Sequence, residues 1–463
     1  MNQLTSDRAG RRSGGVAAVF LAATIIGLYA WPAAAALSLD EAVTIAQRND
    51  PWILGSEYRQ DSLAAQAVAA GTLPDPMVDL SFANMPTDTF DFDQEAMTQF
   101  KVGIAQAFPR GDTRALSQRR LAMLGEQFPY QRDDRRARLA VDVAVLWLET
   151  YRARESIRLI EQDRELFEHL VDVAESNYAS AMGRTRQQDL VRAQLELTRL
   201  EDRLNVLHER QDAGIARLGE WLRPGPEAGS GQFQWEPASY SSPALAEGLP
   251  TIDLRHPELF QSGMATPNEL AALLQAHPAI ASLDRKIDAG GLGVKLAEQK
   301  YLPQWRVNAS YGYREGDPTG GRDRPDLFSV GVGFDLPLFT SRRQDREVQS
   351  AIADTEALRT EKILALRGMV ASFETQYARL QRIEQRQQLY RDRLLREMEA
   401  QAEASLTAYT NDDGDFAEVV RARIAGLNAR IEALDIEIDR LQAIARLNYF
   451  FTSSSVETEG ESS

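Results

Sequence analysis

The sequence predicts a mainly helical protein that also builds a transmembrane β-barrel from several copies of the chain. Three observations lead there. Apolar residues recur at heptad spacing over very long stretches, they alternate strictly with small or polar residues in four short ones, and the order of these signals runs twice along the 463 residues.

The first 36 residues read as a secretory signal peptide. Arg8, Arg11 and Arg12 precede the apolar run GVAAVFLAATIIGLYAW and the small residues PAAAA, with cleavage expected near Ala35 or Ala36. After this segment no stretch approaches the ~20 apolar residues of a membrane helix, so any passage through a membrane must use strands. The formal charge of −16, with no Lys/Arg block, argues against a nucleic-acid partner. The chain has no cysteine, which excludes disulfides, thiolate metal sites and cysteine nucleophiles.

Two halves repeat one layout. NDPWI (49–53) is echoed by AHPAI (276–280), TLPDPMVDLSFANM (72–85) by YLPQWRVNASYGY (301–313), and FKVGIAQAFPRG (100–111) by FSVGVGFDLPLF (328–339), at an offset of 227 to 229 residues. This gives a first repeat over 37–222, an irregular connection over 223–267 holding seven of the nineteen prolines, a second repeat over 268–450 and a disordered tail over 451–463. Each repeat is expected to contain a helix, two strands and a helical hairpin.

The helices are long. In the first hairpin Leu139, Val143, Leu146, Thr150, Ala153, Ile157, Ile160, Arg164 and Phe167 follow a 4,3 spacing broken only by Thr150 and Arg164. Leu190, Leu197, Leu204 and Leu218 mark the return. The second hairpin repeats the pattern with Ile363, Leu366, Val370, Phe373, Tyr377 and Leu380, then Ala417, Ile424, Ile431, Ile438 and Ala445. Sustained heptads specify coiled-coil packing. One helix from Thr113 to Ala181, kinked at Pro129, would be about 100 Å long.

The strands are expected at about 77–85, 99–108, 304–313 and 327–337. Val78, Leu80 and Phe82 alternate with Asp79, Ser81 and Ala83; Phe328, Val330, Val332 and Phe334 alternate with Ser329, Gly331 and Gly333. A soluble sheet would need helices on its apolar face, but these helices already have one another. Apolar residues outward to lipid and polar ones inward to water is the membrane-barrel pattern. Four strands cannot close a barrel; two copies would give eight strands and three would give twelve.

With these features in place, the chain after residue 36 resembles the TolC-type outer-membrane efflux ducts, the outer membrane factors of tripartite pumps. The resemblance rests on the duplicated halves, the opening LSLDEAVTIAQRNDP, the turn GRTRQQDLVRAQLEL and the turn YTNDDGDFAEVVRA. It implies a homotrimer with a twelve-stranded barrel in the outer membrane of a Gram-negative cell, continued by a periplasmic coiled-coil tunnel. Its implied partners are a periplasmic adaptor (membrane fusion protein) and an inner-membrane pump. NMPTDTFDFDQEAMTQ (84–99) is most similar to the heavy-metal efflux branch, implying metal cations as cargo. Acidic residues at the second hairpin turn, Asp412, Asp413 and Asp415, would form the periplasmic gate. The turns around Gly183, Arg184, Arg186 and Asp189, and around Gly414 and Phe416, would receive the adaptor. The chain departs from many members in lacking a lipid-bearing N-terminal cysteine and in a longer Tyr178–Gly183 spacing.

No enzyme, cofactor or metal site is expected. His169, His208, His256 and His277 are scattered, and Asp212 stands where a HExxH zinc motif starting at His208 would need histidine. Gly290, Gly291 and Gly293 do not follow a strand. Arg110-Gly111-Asp112 reads as a turn with Asp112 capping the next helix, and Asn308-Ala309-Ser310 as a chance glycosylation match within a strand. The main rival function is a periplasmic coiled-coil adaptor, but that would carry one hairpin rather than two; type I secretion or drug export are alternatives within the duct class.

Overall fold

The computed structural model describes residues 36–179, 187–223, 244–257, 266–316, 324–411 and 414–453. The expected leader, the first hairpin tip, Asp412 and Asp413, most of the connection between halves and nearly all of the tail lie outside these residues.

Both halves open with the same capping chemistry. Helix α1 (Leu39–Asn49) starts with a capping box in which Ser38 Oγ accepts from the Glu41 amide at 3.3 Å and the Glu41 carboxylate accepts from the Ser38 amide at 3.0 Å. Helix α2 (Pro51–Gly71) follows, capped by Asp50, which accepts from the Trp52 amide at 3.1 Å. In the second half α6 (Pro267–Leu274) repeats the box with Thr266 and Glu269, and α7 (Pro278–Glu298) is capped by His277. Proline occupies the first position of α2 and α7, where its missing N–H costs nothing.

Strands β1 (Met77–Ala83) and β2 (Gln99–Phe108) lead into α3 (Thr113–Gly125), α4 (Gln127–Ala179) and α5 (Gln187–Leu222). Strands β3 (Trp305–Tyr313) and β4 (Leu327–Phe334) lead into α8 (Gln344–Leu389), a single π turn (Tyr390–Leu394), α9 (Leu395–Thr410) and α10 (Phe416–Tyr449). At 53 residues, α4 is about 80 Å long.

The strands form one antiparallel sheet in the order β1-β2-β3-β4, leaving β1 and β4 as free edges. Among the described residues, α2 packs on α3, α3 on α7, and α7 on α8. The helix that precedes or follows each strand therefore keeps that strand's place in the row. Farther along, α4 pairs with α5, while α10 lies against α4, α8 and α9. Helix α10 contributes to all three apolar clusters, through Ile438 and Leu441, Val420 and Leu427, and Ile436 and Ile444. The first cluster is anchored by Trp147, fully buried, whose indole N–H donates to the Leu37 carbonyl at 3.1 Å.

Several expectations need correction. The helix after β2 is not continuous and does not kink at Pro129. It breaks at Glu126, after Gly125, and Pro129 falls in the first turn of α4, where an amide has no helical partner to lose. The apparent fault at Thr150 is a packing device. Its hydroxyl turns back to the Leu146 carbonyl at 2.8 Å, and its side chain occupies the space that a Cβ at Gly214 of α5 would need. Thr355 and Gly290 bring α8 and α7 together in the same way, which explains one of the glycines in 290–293. Arg164 leaves the seam for solvent and pairs with Glu168 at 2.7 Å. Ile363 was expected in the seam but is 58% exposed, together with Leu364 and Ile352 on α8. Strand β4 ends at Phe334 rather than 337, because Asp335 folds back to accept from the Gln304 amide at 2.6 Å and Pro337 has no amide to offer. Strand β1 ends at Ala83 because Asn84, at φ +57°, turns the chain and is held by its bond to the Met97 carbonyl at 3.0 Å.

Candidate functional site

The register of the sheet settles which residues share a face. Reading across the strands, Phe82 lies beside Phe100 and Tyr313; Leu80 beside Val102, Tyr311 and Phe328; and Val78 beside Ile104, Ala309 and Val330. Two further rows are Gln106, Val307 and Val332, then Phe108, Trp305 and Phe334. All five rows are on one face, because alternate residues of a strand point the same way. That face is uncovered: Phe82, Val78, Phe328, Val330 and Val332 are all more than 60% exposed. Its lone polar member, Gln106, donates to the Pro74 carbonyl at 2.8 Å and the Ala107 carbonyl at 3.0 Å, so its amide is internally satisfied.

The opposite face interleaves with this one. Its rows are Ser81, Lys101, Gly312 and Leu327; Asp79, Gly103, Ser310 and Ser329; Met77, Ala105, Asn308 and Gly331; and Ala107, Arg306 and Gly333. Small and polar residues dominate, so a layer of water and ions fits against it, whereas the apolar face is hydrated only at large cost. Asn308 therefore sits within a strand on the polar face, consistent with treating its glycosylation match as chance.

The loop 84–98 joins β1 to β2. It is tied to the other loop by Arg314, which donates to the Ala96 carbonyl at 3.2 Å, and by Arg324, which donates to the Asp93 carbonyl at 3.2 Å. Phe92 stacks on Tyr313 with ring centroids 6.3 Å apart. At the helical end of the sheet, the Arg110-Gly111-Asp112 turn buttons the two halves together. Arg110 donates to the carbonyls of Lys300 (3.0 Å) and Leu302 (2.9 Å) and pairs with Asp335. Asp112 occupies the N-cap position of α3 but makes no side-chain cap bond, contrary to expectation; its amide instead donates to Gln299 Oε1 at 2.9 Å. The sequence pointed to a turn here but not to Arg110 as a link between halves. The only hint was the carboxylate at 335, where the first repeat has Ala107.

At the second hairpin tip, Asp415 caps α10, its carboxylate accepting from the Ala417 amide at 3.1 Å. Gly414 is required by space: a Cβ there would lie 2.6 Å from the Tyr409 nitrogen. Phe416 is buried, its ring meeting Tyr409 at 5.6 Å in an edge-on contact that closes the turn. It thus shapes the tip from inside. Of the other candidates, Asp189 lies in the first turn of α5, while Gly183, Arg184 and Arg186 fall outside the described residues.

Two features carried little sequence signal. Arg152 of α4 reaches α10, where its guanidinium donates to Asp439 at 2.7 Å and lies 3.6 Å from Asp435. Burial pushes the Asp435 carboxyl up, partly offset by Arg152. His277 is buried; Nδ1 accepts from the Ala279 amide at 3.2 Å and Nε2 meets the Tyr449 carbonyl at 3.1 Å. Burial lowers its pKa, with Asp134 opposing more weakly. It is a capping group, not a ligand, and the described residues hold no cluster of three or more potential metal ligands.

Residues 270–449 match the model of the family described as outer membrane efflux protein. Among solved structures, the CmeC outer membrane channel of Campylobacter jejuni superposes with a TM-score of 0.70 at 14% identity, covering 91% of this chain and 88% of that one. CusC gives 0.69 at 12%, covering 90% and 92%, and the outer membrane protein VceC of Vibrio cholerae gives 0.67 at 15%, covering 90% and 96%. These likenesses span both halves and establish the fold. No curated protein matches the sequence. No described helix is long and apolar enough to cross a membrane.

Proposed function

We propose that this chain is the outer-membrane channel of a tripartite efflux system, a passive duct from periplasm to exterior. The observation that carries the reading is the sheet: four strands with two free edges, one continuous apolar face exposed, and small or polar residues behind it. The free edges call for further strands to pair with, and the uncovered apolar face for a neighbour other than water. Three copies joined edge to edge make a twelve-stranded barrel with lipid outside and water within. The helices continue the wall as a periplasmic tunnel, and the exposed apolar residues of its edge helices, Tyr58 and Val68 on α2 and Ile352, Ile363 and Leu364 on α8, suit contact between copies. The repeats 37–222 and 268–450 each supply two strands and one hairpin.

On this reading the energy and the choice of cargo belong to an inner-membrane pump, reached through a periplasmic adaptor that meets the hairpin tips. Gly183, Arg184, Arg186 and Asp189 mark one tip and Gly414 and Phe416 the other, while Asp412, Asp413 and Asp415 ring the periplasmic gate. The cargo is metal cations, on the sequence likeness of residues 84–99 and the acidity of that turn; drug or type I export uses the same duct. No catalytic step is assigned. The test is fractionation followed by crosslinking. The protein should extract from the outer membrane as a trimer, and a cysteine placed at Ala408, unique in this cysteine-free chain, should crosslink to a co-expressed adaptor. Recovery as a monomer in the soluble periplasmic fraction would overturn the reading.

A further inference from the structure

The duplication allows one turn to be compared with itself. In both halves the chain leaves the sheet, passes a proline and enters a helix: Phe108-Pro109-Arg110-Gly111 in the first, Leu336-Pro337-Leu338-Phe339 in the second. The first copy is locked inward. Arg110 is held by two carbonyls and Asp335, and Gly111, at φ +41°, lies against Gln299 and Leu302 with no room for a side chain. The second copy faces outward. Leu338 is 72% exposed and Phe339 89%, the two highest values among the exposed large apolar residues described. They follow the exposed Leu336 (60%) beyond the end of β4, where the Leu338 amide donates to the Leu336 carbonyl at 2.9 Å and turns the chain at Pro337. A single 3₁₀ turn, Thr340–Arg342, then brings Arg342 and Arg343. Arg342 has no ion-pair partner among the described residues, and Arg343 reaches Glu347 only at 4.0 Å while its side chain stays 78% exposed.

An apolar knob followed within one turn by two exposed guanidiniums, of which only Arg343 has an acid near it among the described residues, and that at 4.0 Å, matches the layering of a bilayer surface in a chain that is acidic overall. In that layering acyl chains would lie beside the knob and phosphates where the arginines emerge. We infer that Leu338 and Phe339 insert into the periplasmic leaflet of the membrane and that Arg342 and Arg343 bind the headgroup phosphates of anionic glycerophospholipid. The inference rests on the duct reading above. Guanidinium suits this partner because it offers paired donors to phosphate oxygens and is weakly hydrated. The two basic groups favour anionic over zwitterionic lipid by roughly fivefold each.

The test uses the full chain with one added cysteine. Phe339→Cys, labelled with an environment-sensitive fluorophore, is reconstituted as the assembled protein into vesicles carrying brominated phosphatidylglycerol or brominated phosphatidylcholine, with labelled Val332→Cys as reference. Both positions should be quenched by brominated lipid. At position 339 quenching by the anionic lipid should exceed that by the zwitterionic lipid several-fold, and Arg342→Gln/Arg343→Gln should abolish that excess while leaving quenching itself. Inorganic phosphate added at millimolar concentration should not abolish it. If position 332 is quenched and 339 is not, the knob is seated against a second copy and the inference fails. Equal quenching of 339 by both lipids also defeats it, and loss of the preference to free phosphate would make this an ion site rather than a lipid site. If neither position is quenched, the duct reading itself has failed.

Discussion

A charge placed on the two faces of β4 should have opposite consequences. Val330 occupies the middle one of the five apolar rows, with Val78, Ile104 and Ala309 beside it, and is 64% exposed. In a closed barrel it would lie near the bilayer midplane, where an arginine costs about 2–4 kcal/mol. This is roughly a 30- to 900-fold loss in the insertion equilibrium for each copy, and three copies multiply it. Val332, one row nearer the helical end, should show a smaller version of the same loss, since the cost falls toward the interface. Ser329 is one residue from Val330 but belongs to the other face, in a row with Asp79, Gly103 and Ser310. The neighbours there are small and one is an acid, so an arginine can extend into water and keep its hydration. Val330→Arg should therefore sharply reduce heat-resistant trimer in outer-membrane extracts. Ser329→Arg should insert normally and lower single-channel conductance. Equal yields from the two variants, or the reverse order, would refute the assignment of faces.

Gly414→Ala should force the second tip apart, since the new Cβ meets backbone 2.6 Å away; protease nicking between Thr410 and Phe416 should rise without loss of trimer. Replacing Asp412, Asp413 and Asp415 with asparagine should reduce cation selectivity and multivalent-cation block in planar bilayers, because nine carboxylates in a trimer would concentrate cations. Asparagine is also a good N-cap, so α10 should keep its start and the assembly its stability. The His277 pKa is lowered in the fold, so the neutral ring is the favoured form there. Its contribution to stability is present above the ordinary value of about 6.5 and is lost as pH falls below it. Between pH 7.5 and 5 the thermal midpoint of the wild type should drop more than that of His277→Asn, which keeps a cap acceptor at any pH; identical drops would exclude this group as the cause.

The strands were legible because each faces two environments, and a period of two leaves no other explanation for Val78, Leu80 and Phe82 against Asp79, Ser81 and Ala83. The hairpins were legible for the same reason at a different period. What the sequence hid depends on a partner far along the chain. Thr150 looks like an error until Gly214 is placed opposite it, and Arg110 looks like a turn residue until Lys300, Leu302 and Asp335 surround it. Pro129 leaves α4 unbroken because it falls in the first turn, and proline disrupts a helix only beyond that turn. Ile363 fits the heptad yet meets no partner within one chain, so its spacing alone could not say which helix would cover it.

The row of strands and the row of helices beneath it have the same number of members in the same order. Strands sit about 4.8 Å apart and tilt by ~40°, so twelve of them close at a radius of about 12 Å. Helices sit roughly 9.5 Å apart, so twelve close at about 18 Å between axis and centre. Subtracting the ~5 Å half-thickness of a helix leaves a clear radius of about 13 Å, to be set beside the barrel's backbone radius, which inward side chains that are mostly Gly, Ala and Ser reduce little. In a closed trimer, one-to-one continuity between strand and helix would therefore join two walls of similar radius, with little internal step on which a passing solute would lodge.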